Sequence, residues 1–194
     1  MEKPRLYVIG ASHANRIYQA LKRIPQEEYS IINHTIPGAK WKNIVFPNPA
    51  EVKSSDRIII QCLGNDLFPA EDQFWLCGSR HLHFQKINPN ILQKLTQLKG
   101  KINRYQALII ILDLVPRLAC CSVHEDRRLI TEQNQVNGKL KHELTEAPNT
   151  IVLNTASLAG GINSHLYKDP VHYKPRIYKK IAEQLLTKYC KNLD

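Results

Sequence analysis

Leu6-Tyr7-Val8-Ile9-Gly10-Ala11-Ser12-His13 is the stretch on which the fold turns. Four apolar residues in a row, Leu6 to Ile9, read as a short strand buried on both faces, and Gly10 closes it. A helix over His13 to Arg23 follows at once, with Ile17, Leu21 and Ile24 on one side and Pro25 ending it. A buried strand that passes directly into an amphipathic helix is the repeating step of parallel α/β sheets.

The same step recurs along the chain. Tyr29 to Ile32 is a second strand, and Ile58-Ile59-Ile60-Gln61-Cys62-Leu63 a third, stopped by Gly64-Asn65-Asp66. Ala107 to Leu112 is a fourth, stopped by Asp113 and Pro116, and Thr150 to Leu153 a fifth. Helical patterns lie between them at Asn88 to Leu98, Glu125 to Leu144 and Pro175 to Tyr189. Pro175 reads as the first residue of its helix. Five β-rich runs separated by helices predict one α/β domain over residues 1–194, a parallel sheet with helices on both faces. Residues 66–87 are the least regular part, an excursion beyond the end of the third strand, where such sheets carry function.

The composition agrees. With 194 residues, 43% hydrophobic and 23% charged, the chain is globular, and disordered or collagen-like readings are excluded. The longest apolar run, Ala107 to Leu112, is far too short to span a bilayer, and the N-terminal residues do not read as a secretory signal. The five cysteines are an odd number without a C-x-x-C pair, which predicts free thiols in a reducing compartment, cytoplasmic or nuclear. His81-Leu82-His83 is a loose match to a chelating pair, so no metal site is expected. The net charge of +10 has its basic residues densest near the end, at Lys168, Lys174, Arg176, Lys179, Lys180, Lys188 and Lys191. No nucleic-acid-binding signature accompanies them. The expectation is weak, salt-sensitive attraction of nucleic acid or anionic surfaces to this C-terminal region.

Open α/β sheets place their sites at the carboxyl ends of strands. There the chain presents Gly10-Ala11-Ser12-His13 and Gly64-Asn65-Asp66; Pro37-Gly38-Ala39-Lys40-Trp41 lies between the second and third strands, and Asp169-Pro170-Val171-His172 comes before the last helix. These are the types that acyl transfer needs. A serine hydroxyl is a weak nucleophile and requires a base, for which His172 is the candidate. Asp169 is placed to hold its tautomer. The backbone N–H groups of Ser12 and Gly38 and the amide of Asn65 are candidate oxyanion donors. Each piece has an ordinary reading too: Ser12 as a helix N-cap, Gly38 and Asn65-Asp66 as turns, His172 as a solvated loop residue. Asp113 reads as a turn residue or a buried partner of Arg117. Trp41, Phe68, Phe74 and Trp75 either line an acyl pocket or fill a small core of the excursion.

The joint order of these blocks resembles the SGNH superfamily, the GDSL-like hydrolases, over residues 5–190. The resemblance implies a flavodoxin-like three-layer α/β/α sandwich with five parallel strands in order 2-1-3-4-5. It implies a serine-dependent carboxylic ester hydrolase that needs no cofactor or metal, with Ser12 as nucleophile, His172 as base, Asp169 as its partner, and Gly38 and Asn65 completing the oxyanion hole. Ala11 stands where the family's first block usually has Asp, a carboxylate outside the proton relay. Asn65-Asp66-Leu67, Asp113-Leu114-Val115-Pro116-Arg117, Asn134 with Val136-Asn137, and Asp169-Pro170-Val171-His172-Tyr173 are similar to SGNH domains carried by animal retrotransposons, which act as esterases, acetyl esters among their substrates. The substrate implied is a small-molecule, lipid or carbohydrate ester. The alternative is a basic nucleic-acid- or protein-binding module that retains the site by descent.

Overall fold

The structure is a computed structural model that describes residues 2–67, 73–76, 79–82, 90–118, 123–169 and 171–191. The central sheet consists of β1 (Arg5–Gly10), β2 (Ser30–Thr35), β3 (Arg57–Gln61), β6 (Leu108–Leu112) and β7 (Thr150–Leu153). Its order is β2-β1-β3-β6-β7, every neighbouring pair parallel, so its five strands run 2-1-3-4-5 as predicted. Helices α1 (Ser12–Arg23), α2 (Gly64–Leu67), α3 (Asn90–Ile102), α4 (Val123–Thr145), α5 (Thr155–Ala159) and α6 (Pro175–Gln184) connect and cover it.

Alternation along the strands divides the core into two layers. Tyr7, Ile9, Ile58, Ile60, Ile109 and Ile111 face one side, against Ile91, Leu95 and Leu98 of α3 and Leu129, Val136 and Leu140 of α4. Leu6, Val8, Ile59, Ile110 and Leu112 face the other, against Ala14, Ile17 and Leu21 of α1 and Ile177, Ile181 and Leu185 at and just beyond α6. Both faces are dry, which is why these strands read as continuous apolar runs rather than alternating ones.

The structure departs from the sequence reading at element ends. Strand β2 continues to Thr35, because Asn33, His34 and Thr35 pair with Val8, Ile9 and Gly10 along the sheet edge, where polar side chains still meet solvent. The last helix is α-helical only to Gln184, and Leu185–Tyr189 form a π turn closed by Cys190 N–H donating to Leu185 O at 2.9 Å. The 66–87 excursion contains an antiparallel hairpin, β4 (Gln73–Leu76) with β5 (Ser79–Leu82). Phe68 and His83 lie outside the described residues, as do the side chains of Phe74, Trp75 and His81. Among the described residues no helix is long and apolar enough to cross a membrane. Cys62 and Cys190 are free and buried, and burial pushes each thiol up to about 12, so neither is a reactive thiolate. Cys77, Cys120 and Cys121 lie outside the described residues.

Candidate active site

The turn between β1 and α1 is tight by necessity. Gly10 has φ +143°, and a Cβ on it would lie 1.8 Å from the carbonyl oxygen of Gln61. Only glycine lets β1 end this close to β3. The chain then enters α1 with Ala11 as its N-cap, without a side-chain capping bond. Ser12 is therefore the first helical residue, not a cap. Its hydroxyl is turned to another partner: His172 Nε2 lies 3.1 Å from Ser12 Oγ.

His172 comes from the loop before α6. Its Nδ1 lies 3.1 Å from both carboxylate oxygens of Asp169. Asp169 is itself pinned, because its Oδ1 also accepts the backbone N–H groups of Val171 and His172 at 2.9 Å each. Partial burial acts to raise the Asp169 carboxyl. The His172 hydrogen bond and the two backbone donors outweigh it and hold the group well below the usual carboxylate range. Pro175 is the first residue of α6, as predicted, and fixes the chain's direction out of this loop. Pro170 lies outside the described residues.

The loop that carries Gly38 is tied to the turn before Ser12 and to Asn65. Ile36 N–H donates to Gly10 O at 2.9 Å, tying the loop after β2 to that turn. Gly38 in this loop has φ +79° and is exposed, with open space where a Cβ would stand. Asn65 Nδ2 donates to the neighbouring Ala39 O at 3.1 Å. The next residue, Asp66, is buried and clasps the same loop: it accepts Trp41 N–H at 2.8 Å and Lys94 Nζ at 2.6 Å. Trp41 packs edge-on against Phe46 and donates its indole N–H to Gln97 at 2.6 Å, and both rings lie against the core layer of α3 and α4.

Two residues near the site escape a reading by spacing. Arg117 is almost fully buried, and its Nη2 donates to Asn65 Oδ1 at 3.1 Å. The expected pairing of Arg117 with Asp113 is not formed. Burial raises the Asp113 carboxyl, which instead accepts the N–H of Thr155 at 2.7 Å and Asn154 Nδ2 at 2.9 Å. The Arg117 backbone is bracketed by Gln133, and that of Leu114 by Asn137, one turn further along α4. The i,i+4 spacing of these two amides was the available signal.

The second residue is His13. It is buried, its Nδ1 lies 2.7 Å from Tyr178 Oη, and its ring sits 5.1 Å from that of His172. Its Nε2 has no hydrogen-bond partner among the described residues. Burial, then the neighbouring His172, Arg117 and Arg16, hold its pKa well below the ordinary histidine value. Bound to Tyr178, His13 flanks the ring of His172. Among the described residues no group of three or more His, Cys, Asp or Glu is arranged to hold a metal ion.

No protein-family model and no curated protein matches the chain. Solved structures do. A member of the lipolytic G-D-S-L family from Veillonella parvula superposes with a TM-score of 0.64 at 15% identity, covering 97% of this chain and 98% of its own. The aryl esterase of M. smegmatis gives 0.53 at 10%, covering 94% and 98%. Est24, a carbohydrate acetylesterase from Sinorhizobium meliloti, gives 0.55 at 11%, covering 94% and 96%. At such identities the likeness is one of fold: the chain has, over nearly its whole length, the parallel α/β architecture of these hydrolases.

Proposed function

We propose that the chain is a serine-dependent carboxylic ester hydrolase, an acetylesterase in the first instance. The observation that carries this reading is the pair of contacts at His172, Nε2 to Ser12 Oγ and Nδ1 to Asp169, each at 3.1 Å. It is the geometry that a general base needs between a hydroxyl nucleophile and a carboxylate. An aryl esterase and a carbohydrate acetylesterase that share the fold support the same class.

The steps follow from the atoms. Neutral His172 accepts the Ser12 proton at Nε2 while Oγ bonds to the ester carbonyl carbon, and Asp169 stabilises the imidazolium. The carbonyl oxygen becomes an oxyanion. The Ser12 N–H at the head of α1, which no intrahelical carbonyl can accept, the Gly38 N–H and Asn65 Nδ2 serve as its donors. Collapse breaks the bond to the leaving oxygen, which takes the proton from His172 and departs as the alcohol. Water, deprotonated by the same histidine, then cleaves the acyl-serine to the carboxylic acid and free Ser12.

The test is hydrolysis of 4-nitrophenyl acetate and longer acyl esters by the wild type and by Ser12→Ala. Turnover that vanishes in a folded Ser12→Ala supports the assignment, and full turnover in that variant refutes it. No turnover by a folded wild type favours the second reading, a basic binding module. For that reading stands the +10 charge; it would make the chain an intracellular module of the kind that retrotransposons carry.

A further inference from the structure

A cavity of about 540 Å³ opens from Ser12 and runs between α1 and α6. The face of α1 that lines it is spaced as one helical stripe: Ser12, then Asn15 and Arg16, then Gln19, then Arg23. From α6 come Arg176, Tyr178 and Lys179. Four cations thus border one concavity, and among the described residues its lining holds no aspartate or glutamate. Lys179 has a carboxylate nearby, Glu183 at 3.7 Å. Among the described residues Arg16, Arg23 and Arg176 have none. Arg16 is half-buried, with its guanidinium 5.8 Å above the Tyr178 ring.

Helix surfaces ordinarily interleave the two signs of charge. Like charges gathered around a pocket repel one another, and an anion bound among them relieves that repulsion. Guanidinium groups, with planar forks of N–H donors, match a phosphate better than a single point charge does. Between the cations the wall is apolar, formed by Ala20, Pro37 and Pro175. The size suits one small ligand.

We infer that this pocket selects esters carrying a phosphate, bound along α1 and α6 while the ester carbonyl lies at Ser12. The inference rests on the esterase reading above and names its substrate class. Arg16 and Arg176 are specificity-determining residues in it; they take no part in bond making.

The experiment is a comparison of kcat/KM for 4-acetoxyphenyl phosphate and 4-methoxyphenyl acetate, leaving groups alike except for the charge. The wild type should prefer the phosphate ester by about tenfold or more at low salt, and the preference should shrink as salt screens it. Arg16→Gln with Arg176→Gln should remove about tenfold of that ratio. Lys141→Gln, an exposed cation on α4 across the sheet, should leave the ratio as it is. A wild-type ratio near one, or a ratio that the double variant does not move, overturns the inference. A matched pair of short-chain lipids, phosphatidylglycerol against diacylglycerol, separates the sources. A larger anion preference there identifies a lipid headgroup; a larger one for the aryl phosphate identifies a soluble ester.

Failure of the esterase reading is distinguishable. If a folded protein cleaves no ester, calorimetry with phenyl phosphate still tests the pocket. Binding that the double variant weakens sustains it as an anion site, and no binding overturns it. Phenyl phosphate that fails to bind where a single strand of about 20 nucleotides binds tightly overturns the inference in favour of a polyanion surface.

Discussion

Arg117→Met tests whether the buried guanidinium orients the proposed oxyanion donor. In the wild type the Asn65 amide is held at both ends, Oδ1 by Arg117 Nη2 and Nδ2 by Ala39 O, each at 3.1 Å. One Nδ2 hydrogen is then left to point elsewhere, and the amide cannot flip without losing both bonds. A hydrogen bond from a charged donor contributes about 1.5–3 kcal/mol. Removing it leaves only the Ala39 contact to orient the amide, which corresponds to a loss of about 10- to 150-fold in kcat. The ceiling is the loss on deleting the donor itself, about 10²–10³. The assay is kcat for 4-nitrophenyl acetate in wild type, Arg117→Met, Asn65→Ala and the double variant, with Tm measured alongside. If Arg117 acts through Asn65, Arg117→Met costs less than about threefold once Asn65 is already alanine. Arg117→Lys should recover part of the loss. Losses that multiply in the double variant would refute the reasoning, since Arg117 would then support the fold and not the amide.

Two pH predictions follow from burial and pairing. His13 stays neutral in the fold, while the unfolded chain takes up its proton below about pH 6.5, so native stability falls with pH below that value by up to about 1.4 kcal/mol per pH unit. Tm measured from pH 7 to 5 should drop less steeply in His13→Gln, and equal slopes would contradict the assignment. Asp169 has the opposite sign: its depressed carboxyl adds stability above the ordinary carboxylate pKa, near 4, which is lost as acid protonates it. Asp169→Asn should therefore flatten the acid limb of a stability profile. The glycines separate fold from chemistry. Gly10→Ala, driving a Cβ to 1.8 Å from Gln61 O, should cost more than about 3 kcal/mol in a denaturant melt, whereas Gly38→Ala, with open space around its Cβ, should cost about 1 kcal/mol.

The fold was legible because both faces of the sheet are dry. Runs such as Ile58–Ile60 and Leu108–Leu112 are apolar without alternation, and chain order plus the preference for right-handed crossovers leaves few arrangements. Edge strand β2 was half legible, since Asn33, His34 and Thr35 owe their extended conformation to pairing with β1 and not to their own propensity. Ser12 was legible at the end of the first strand, and Asp169 and His172 as a spaced pair before the last helix. Their contact, across 160 residues of chain, exists only in the assembled sheet. Arg117 was seen and misassigned. Its nearest acid in sequence was Asp113, but Thr155 and Asn154 reach that carboxylate first, and the choice between them is made by packing. His13 follows Ser12 directly, and neighbouring side chains at a helix start diverge. It does diverge from Ser12, into a buried niche beside His172 formed by α6.

That separation between Ser12 and His172 also has a meaning in time. At about 5–20 residues per second, a ribosome adds the histidine on the order of 10 s or more after the serine. Through that interval the nascent chain carries the hydroxyl without a base to activate it. On the proposed mechanism catalytic competence is a late event of biogenesis, and its onset in a translation reaction would time the arrival of the Asp169–His172 loop rather than of the first βα unit.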